Sequence, residues 1–465
     1  MKEDFIFSEF PEVSAKAWKQ KIQVDLKGAD YNQALVWESL EGIAVKPFYH
    51  AEDTAQIPAF SLPQKHSWSI GQRIYVTTEK TANEKANDVI GRGAENICFA
   101  ISNASINWSA LFDGIDLNNI AIYLHLDFLD IRPIHELLPI FEGVQKQCFL
   151  SVDIIGNFAR TGNWFYNKEK DHQILEELIA LCNAQPGINI LSVDASLYQN
   201  AGANSVQQLA YALAHANEYL NHFTDNPSKA IHGSIPITFK VSIGNNYFFE
   251  IAKLRALRWL WQSLAVSYDF KNECHIIAQP GKRNKTIYDY NVNMLRTTSE
   301  CMSAVLGGAN TVVNLTYDAL YQKDNEFGER IARNQLLLLK EESYFDEALR
   351  AAEGSYYIES LTKQLAEKAL ELFKQIEATG GFLSQLKNGS IQKKIKENAA
   401  KEQALFDTGD LVLLGTNTFQ NADDCMKENL EIYPFTKMDK RKTQIEPILE
   451  KRLAEALEQK RLNDE

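Results

Sequence analysis

The amino-acid sequence predicts an α/β protein, a (β/α)8 TIM barrel set between an N-terminal arm and a helical C-terminal region. Short apolar runs alternate with helical stretches about eight times over roughly 270 residues, the usual size of such a barrel. One repeat unit is clear. In RTTSECMSAVLGGANTVVNL, starting at Arg296, Thr297 and Glu300 have the spacing of a capping box. Cys301, Met302, Val305 and Leu306 supply an apolar face, and Gly307-Gly308 can close the helix. Thr311, Val312, Val313 and Leu315 then read as a buried strand. A doubly wound open sheet shares this alternation and is the competing architecture. The expected divisions are 1–64 for the arm, 65–350 for the barrel and 351–465 for the helical region.

The arm combines a helical piece bearing Val13, Trp18, Ile22, Val24 and Leu26 with an extended piece, WESLEGIAVKPFY, and irregular chain around Pro58 and Pro63. Trp18, Trp37, Phe48 and Tyr49 are costly to leave in water and need a surface to cover. The strand candidates follow as RIYVT (73–77), NICFAI (96–101), NIAIYLHL (119–126), CFLSVDII (148–155), NILSVDAS (189–196), PITFKVSI (236–243), HIIAQ (275–279) and NTVVNL (310–315). The best-defined helix is EIAKLRALRWLWQSL. Its apolar stripe is Ile251, Leu254, Trp261 and Leu264, and Glu250, Lys253 and Arg258 read as surface salt-bridging groups. Leu361, Leu365, Ala369, Leu372 and Ile376 form the stripe of a later helix that stops at Gly380-Gly381. From Lys437 to Glu465 the density of charge suggests a solvated terminal helix.

A net charge of −13 over 465 residues argues against a nucleic-acid partner. Cys98, Cys148, Cys182, Cys274, Cys301 and Cys425 form no C-x-x-C pair, so buried free thiols in a reducing compartment are expected, with no zinc or disulfide framework. The start, MKEDFIFSEF, lacks the basic, apolar character of a signal peptide, and no run approaches the length of a membrane span, which implies a cytoplasmic protein.

Chemistry in a barrel belongs at the C-terminal strand ends. His125 and Asp127 share one strand face and could begin a metal site, but no H-x-H partner accompanies them, so no metal is expected. Asp153 and Asp194 end strands and serve either as acid-base carboxylates or as helix caps. Gly307-Gly308 lacks the Lys-Ser/Thr of a P-loop. Lys282, Arg283 and Lys285 follow the seventh strand and could meet phosphates at the rim.

RTTSECMSAVLGG, ERIARNQLLLLKEES and EGSYYIESLT, in this order, resemble segments of the methylmalonyl-CoA mutase family, adenosylcobalamin-dependent isomerases that interconvert (R)-methylmalonyl-CoA and succinyl-CoA. The resemblance covers roughly residues 12–420, and it implies the barrel, an arm that packs partly on a partner subunit, and coenzyme A as the phosphate source for Lys282, Arg283 and Lys285.

The family's catalytic positions are changed. Its Tyr-His pair falls on Ser196 and Leu197, its Gln and His after Leu-Gly-Gly fall on Asn310 and Val313, and its Trp-Thr-Ile-Arg-Gln reads WSIGQ, with Gly71 for the arginine. Leucine can neither donate nor accept a proton. No histidine follows His275, so no Asp-x-His-x-x-Gly cobalt loop is recognised, and residues 382–465 are too short and too charged for the domain that holds it. The expectation is therefore a chain with no catalytic or cofactor-binding residues of its own. It resembles the small, non-catalytic member of the family's heterodimeric enzymes, with adenosylcobalamin carried by the large subunit and a homodimer as the alternative when the chain is made alone. The competing readings are an acyl-CoA mutase barrel served by a separate cobalamin-binding protein, a CoA-ester binding or regulatory protein, and a metal- or carboxylate-dependent hydrolase.

Overall fold

Eight parallel strands close on one another in the computed structural model, which describes residues 11–58, 67–183, 187–224, 237–270, 273–437 and 440–465. They are β1 (Ser69–Tyr75), β2 (Asn96–Ile101), β3 (Ala121–Leu126), β4 (Cys148–Val152), β5 (Ile188–Asp194), β6 (Ile237–Ile243), β7 (Cys274–Pro280) and β8 (Thr311–Val313). β8 pairs with both β7 and β1, through Thr311↔Ile277 and Thr311↔Ser69, and this closure decides for the barrel over the open sheet. Each expected run holds a strand. Only the first is displaced, beginning at Ser69 rather than Arg73, because Ile70 and Ile74 alternate with polar or small inward residues and leave no continuous apolar run. Pro63, Pro236 and the first ten residues lie outside the described residues.

The main helices are α1 (Glu79–Gly91), α2 (Ser205–Thr224), α3 (Tyr247–Val266), α4 (Val292–Leu306), α5 (Glu326–Leu337), α6 (Tyr356–Ala378), α7 (Ser390–Thr408) and α8 (Glu455–Asp464). α6 packs against α2 and α3, and Leu361, Leu365, Phe382, Ile391, Ile445 and Ile448 enter the same core as the barrel's outward residues. The C-terminal region thus shares the barrel's core.

Three local expectations are corrected. Thr297 and Glu300 do not cap α4, which begins five residues before Thr297. Thr297 Oγ1 donates to the Met294 carbonyl, and Glu300 is drawn inward to Lys285. Gly308 does end the helix, at φ 87°. On α3, Glu250, Lys253 and Arg258 are buried, not at the surface, because α6 and the β7–β8 region cover that face. Lys253 pairs with Glu250 at 2.5 Å, and Arg258 donates to the Cys274 carbonyl at 2.6 Å and to Asn310 Oδ1 at 2.6 Å.

The third correction concerns the charged C-terminus. Helix is confined to α8, and residues 440–454 form an irregular strap. Arg452 and Glu458 pair at 2.7 Å with side chains 5% and 0% exposed, and Glu458 also accepts from the Ile287 amide, so charge that reads as solvated is instead paired inside.

In the arm, a helix spans Ala15–Asp25 and a two-stranded antiparallel ribbon joins Trp37–Glu38 to Ala44–Val45. Asn204 Nδ2 donates to the Leu40 carbonyl and Tyr49 lies 5.0 Å from Tyr357, which ties the ribbon to the barrel's helices. Trp18 and Trp37 remain half exposed. Four cysteines are buried, Cys98 is half-buried and Cys425 is exposed. No described helix is long and apolar enough to cross a membrane.

Candidate functional site

Strand alternation sends every second side chain into the barrel, and here many of those are polar or aromatic. Tyr123 on β3 reaches across to β7 and β8, with its hydroxyl 2.8 Å from His275 Nε2 and 2.7 Å from Thr311 Oγ1. Asn96 on β2 donates to the same Thr311 hydroxyl at 2.9 Å. Phe149 on β4 stacks on both rings, with centroids 4.5 Å from Tyr123 and 4.2 Å from His275. Burial pushes the Tyr123 phenol up, so it stays neutral. A layer of three stacked rings therefore crosses the barrel interior.

Above this layer, toward the C-terminal ends of the strands, the interior becomes charged. Asp194 ends β5. Lys240 Nζ and Arg160 Nη2 both lie 3.0 Å from its Oδ2, and the Ser196 hydroxyl donates to Oδ1. Burial alone would raise the Asp194 carboxyl, but the two cations hold it well below the usual carboxylate range. His125 lies 3.4 Å from Asp127, and burial is the main cause that lowers its imidazole. Arg73 acts on the same His125 and Asp127, which places it in this layer too.

Asp153 ends β4 and caps the helix Ile154–Thr161 by accepting from the Gly156 amide. It also accepts from Tyr219 Oη at 2.7 Å, pairs with His215 Nε2 at 2.9 Å, and accepts from the Asp194 amide at 2.7 Å. Both strand-end aspartates are therefore fully engaged within the fold. Among the described residues, no three His, Cys, Asp or Glu side chains come together as a metal site.

The basic cluster after β7 is split. Lys285 is fully buried against Glu300 at 2.8 Å, and Arg283 is buried with Nε 2.5 Å from Glu402 and Nη1 2.7 Å from the Lys451 carbonyl. These two cations are committed to internal acceptors. Lys282 alone keeps an exposed side chain, at the mouth.

The changed positions are packed just as firmly. Leu197 is 1% exposed and belongs to the main core. Asn310 Oδ1 accepts from Arg258 and from the Ile276 amide, which makes it a brace between strands. Gly71 and Val313 are register partners of β1 and β8. A Cβ on Gly71 would stand 2.7 Å from Val313 Cγ2 and 2.8 Å from Thr311 Cγ2, so only glycine fits beside that valine.

The sequence reading missed Arg73, Tyr123, Phe149, Arg160 and Lys240. Lys240 had a usable signal, a lone lysine inside the apolar run ITFKVSI. Glu450 was also missed: it comes from the strap to pair with Arg160, and no local pattern marks it.

The methylmalonyl-CoA mutase family model matches residues 103–463. The methylmalonyl-CoA mutase small subunit of Porphyromonas gingivalis is 37% identical over 443 residues, covering 90% of this chain and 71% of that protein. The small subunit of Streptomyces virginiae is 29% identical, covering 85% of this chain and 68% of that protein. The large subunit of Streptomyces virginiae is 25% identical, covering 94% of this chain and 66% of that protein. With a match over most of its length and a relative at this identity, the chain belongs to the methylmalonyl-CoA mutase family, a family of isomerases.

Proposed function

We propose that this chain is the small subunit of a heterodimeric methylmalonyl-CoA mutase, that it performs no chemistry itself, and that it stabilises a large subunit that carries adenosylcobalamin. The observation that carries this reading is Leu197. It takes the position that the resemblance assigns to the family's histidine, and it is sealed in the core. Asn310, Val313 and Gly71 argue the same way, because their replacements are built into the packing and have no free acid or base to offer.

The family is cobalamin-dependent, but the residues of this chain do not fit the cofactor's reactive side. The histidine position is apolar, and the strap's Glu450 pairs with Arg160 at the mouth. The stacked rings of Tyr123, Phe149 and His275 also stand where an extended ligand would pass along the axis.

The arm supplies the interface in this reading. Trp18 and Trp37 keep about half of their surfaces open, and Trp37 leans on Phe249 of α3, so arm and barrel offer apolar surface together.

The test is turnover. The purified chain with adenosylcobalamin and methylmalonyl-CoA is expected to form no succinyl-CoA, and adding the large subunit is expected to restore activity and to raise the large subunit's melting temperature. Turnover by this chain alone would end the reading.

A further inference from the structure

Four cations from different elements gather at the C-terminal mouth: Arg160 from the helix after β4 and Lys240 of β6 both hold Asp194, Lys282 from the loop after β7 lines one cleft with Glu450, and Arg73 of β1 lies close enough to act on His125, Asp127 and Lys282. In a chain of net charge −13 such a cluster is conspicuous. Asp127 lies within the field of Arg73 and Lys240, and two carboxylates touch the cluster directly. Asp194 is buried and built into the barrel, whereas Glu450 arrives from the strap and takes the second arm of the Arg160 fork. Arg73 and Lys282 have no ion pair among the described residues; the Arg73 guanidinium only lies over the Tyr75 ring, at 4.7 Å. Lys282 feels its neighbours. Desolvation in the crowded mouth lowers its ammonium first, Glu450 raises it, and Arg73, Lys240 and Arg160 lower it further, although part of the side chain still meets water.

The place is open to water. The Arg160 and Glu450 side chains are 39% and 32% exposed, and a cleft of about 250 Å³ reaches Lys282 and Glu450 from the surface beside Asn200, Tyr433 and Lys451. Glu450 is also not what holds the strap. The Ile448 amide donates to the Ala159 carbonyl at 2.8 Å, the Lys451 amide to Asn200 at 3.0 Å, and the Leu453 amide to Arg283 at 2.9 Å, while Ile445 and Ile448 sit in the core. The carboxylate can therefore leave while the strap stays.

We propose that the C-terminal mouth is an anion-binding site made by Arg73, Arg160, Lys240 and Lys282, which the Glu450 carboxylate fills from within the chain and which a small carboxylate or phosphate can take in its place. Arginine presents a planar fork that suits either oxyanion, and four cations that outnumber the carboxylates built into the barrel around them attract a further anion. With Glu450 gone, Asp194 is the one carboxylate still in contact with the cluster, and Asp127 acts on Arg73 and Lys240 from beside it. This inference stands on the mouth's geometry and is independent of the silent-subunit reading.

The experiment is calorimetric titration of the full chain with inorganic phosphate and, separately, with glutarate, in a buffer of low chloride. Glu450→Gln is expected to bind at least one of them about tenfold or more tighter than the unchanged chain, and adding Arg73→Gln and Lys282→Gln in that background is expected to remove the gain. Whichever anion binds tighter identifies the source chemistry as phosphate or carboxylate. Glu450→Asp draws the charge back from Arg160 and is expected to give a smaller gain, which serves if Glu450→Gln does not fold. The proposal is overturned if folded Glu450 variants bind neither anion more tightly, or if binding is indifferent to the loss of Arg73 and Lys282.

Discussion

The arm and the strap invert what their compositions suggest. The arm is rich in aromatic residues, yet Trp18 and Trp37 stand half exposed and Val24 is more open still. The strap and α8 are dense in charge, yet Arg452, Glu455 and Glu458 are buried. Polarity alone did not decide which segment went inside. The strap's charges arrive with partners: Arg452 with Glu458, and Glu455 with the Arg452 amide at 2.9 Å. A buried charge is tolerated when it is paired and hydrogen-bonded. The arm's rings have only partial cover in the single chain, as the interface proposed above requires.

The contrast can be broken most strongly at the strap's foundation. Lys285→Ala leaves Glu300 buried without its cation, beneath the strap whose Arg452 donates to the Lys285 carbonyl. The expected cost is about 3–5 kcal/mol, read by urea denaturation of the full chain. Next is the strap's apolar anchor. Ile448→Ala removes a side chain from the core at 4% exposure and should cost about 2–4 kcal/mol, with earlier proteolytic cleavage between residues 440 and 454.

At the arm the effect should move from stability to association. Trp37 meets Phe249 edge-on at 5.8 Å but is half exposed. Trp37→Ala is expected to lower the chain's own stability by less than about 1 kcal/mol and to weaken binding to the large subunit by about 2 kcal/mol, measured by titration of the two chains. An equal loss of folding stability would mean that the ring serves the monomer. The smallest effect is expected at Lys21, whose pair with Asp25 is largely in water. Lys21→Ala should leave both the melting midpoint and the association unchanged.

Legibility followed the same division. NICFAI was read to the residue because both its ends are marked by polar chain, and Gly308 ended its helix as expected. β1 was misplaced since its inward positions carry Ser69, Gly71 and Arg73 in place of apolar residues. The capping box at Thr297 and Glu300 had the right spacing and the wrong role, since a buried lysine fifteen residues away competed for the carboxylate and won. The basic cluster at 282–285 looked uniform in one dimension, yet it divides into one open cation and two sealed ones once Glu402 and Glu300 approach from distant helices.

By itself the sequence determined the number and order of the barrel strands, the helices between them, and the family, because those rest on local periodicity and on runs of neighbouring residues. Only the tertiary structure decided that Tyr123, Phe149 and His275 stack across the barrel, that the charges of α3 are internal, and that Glu450 reaches Arg160 from 290 residues away. Those outcomes depend on which side chains meet after the chain has closed on itself, and a pair held by Coulomb attraction or stacking leaves no periodic trace in either of the segments it joins.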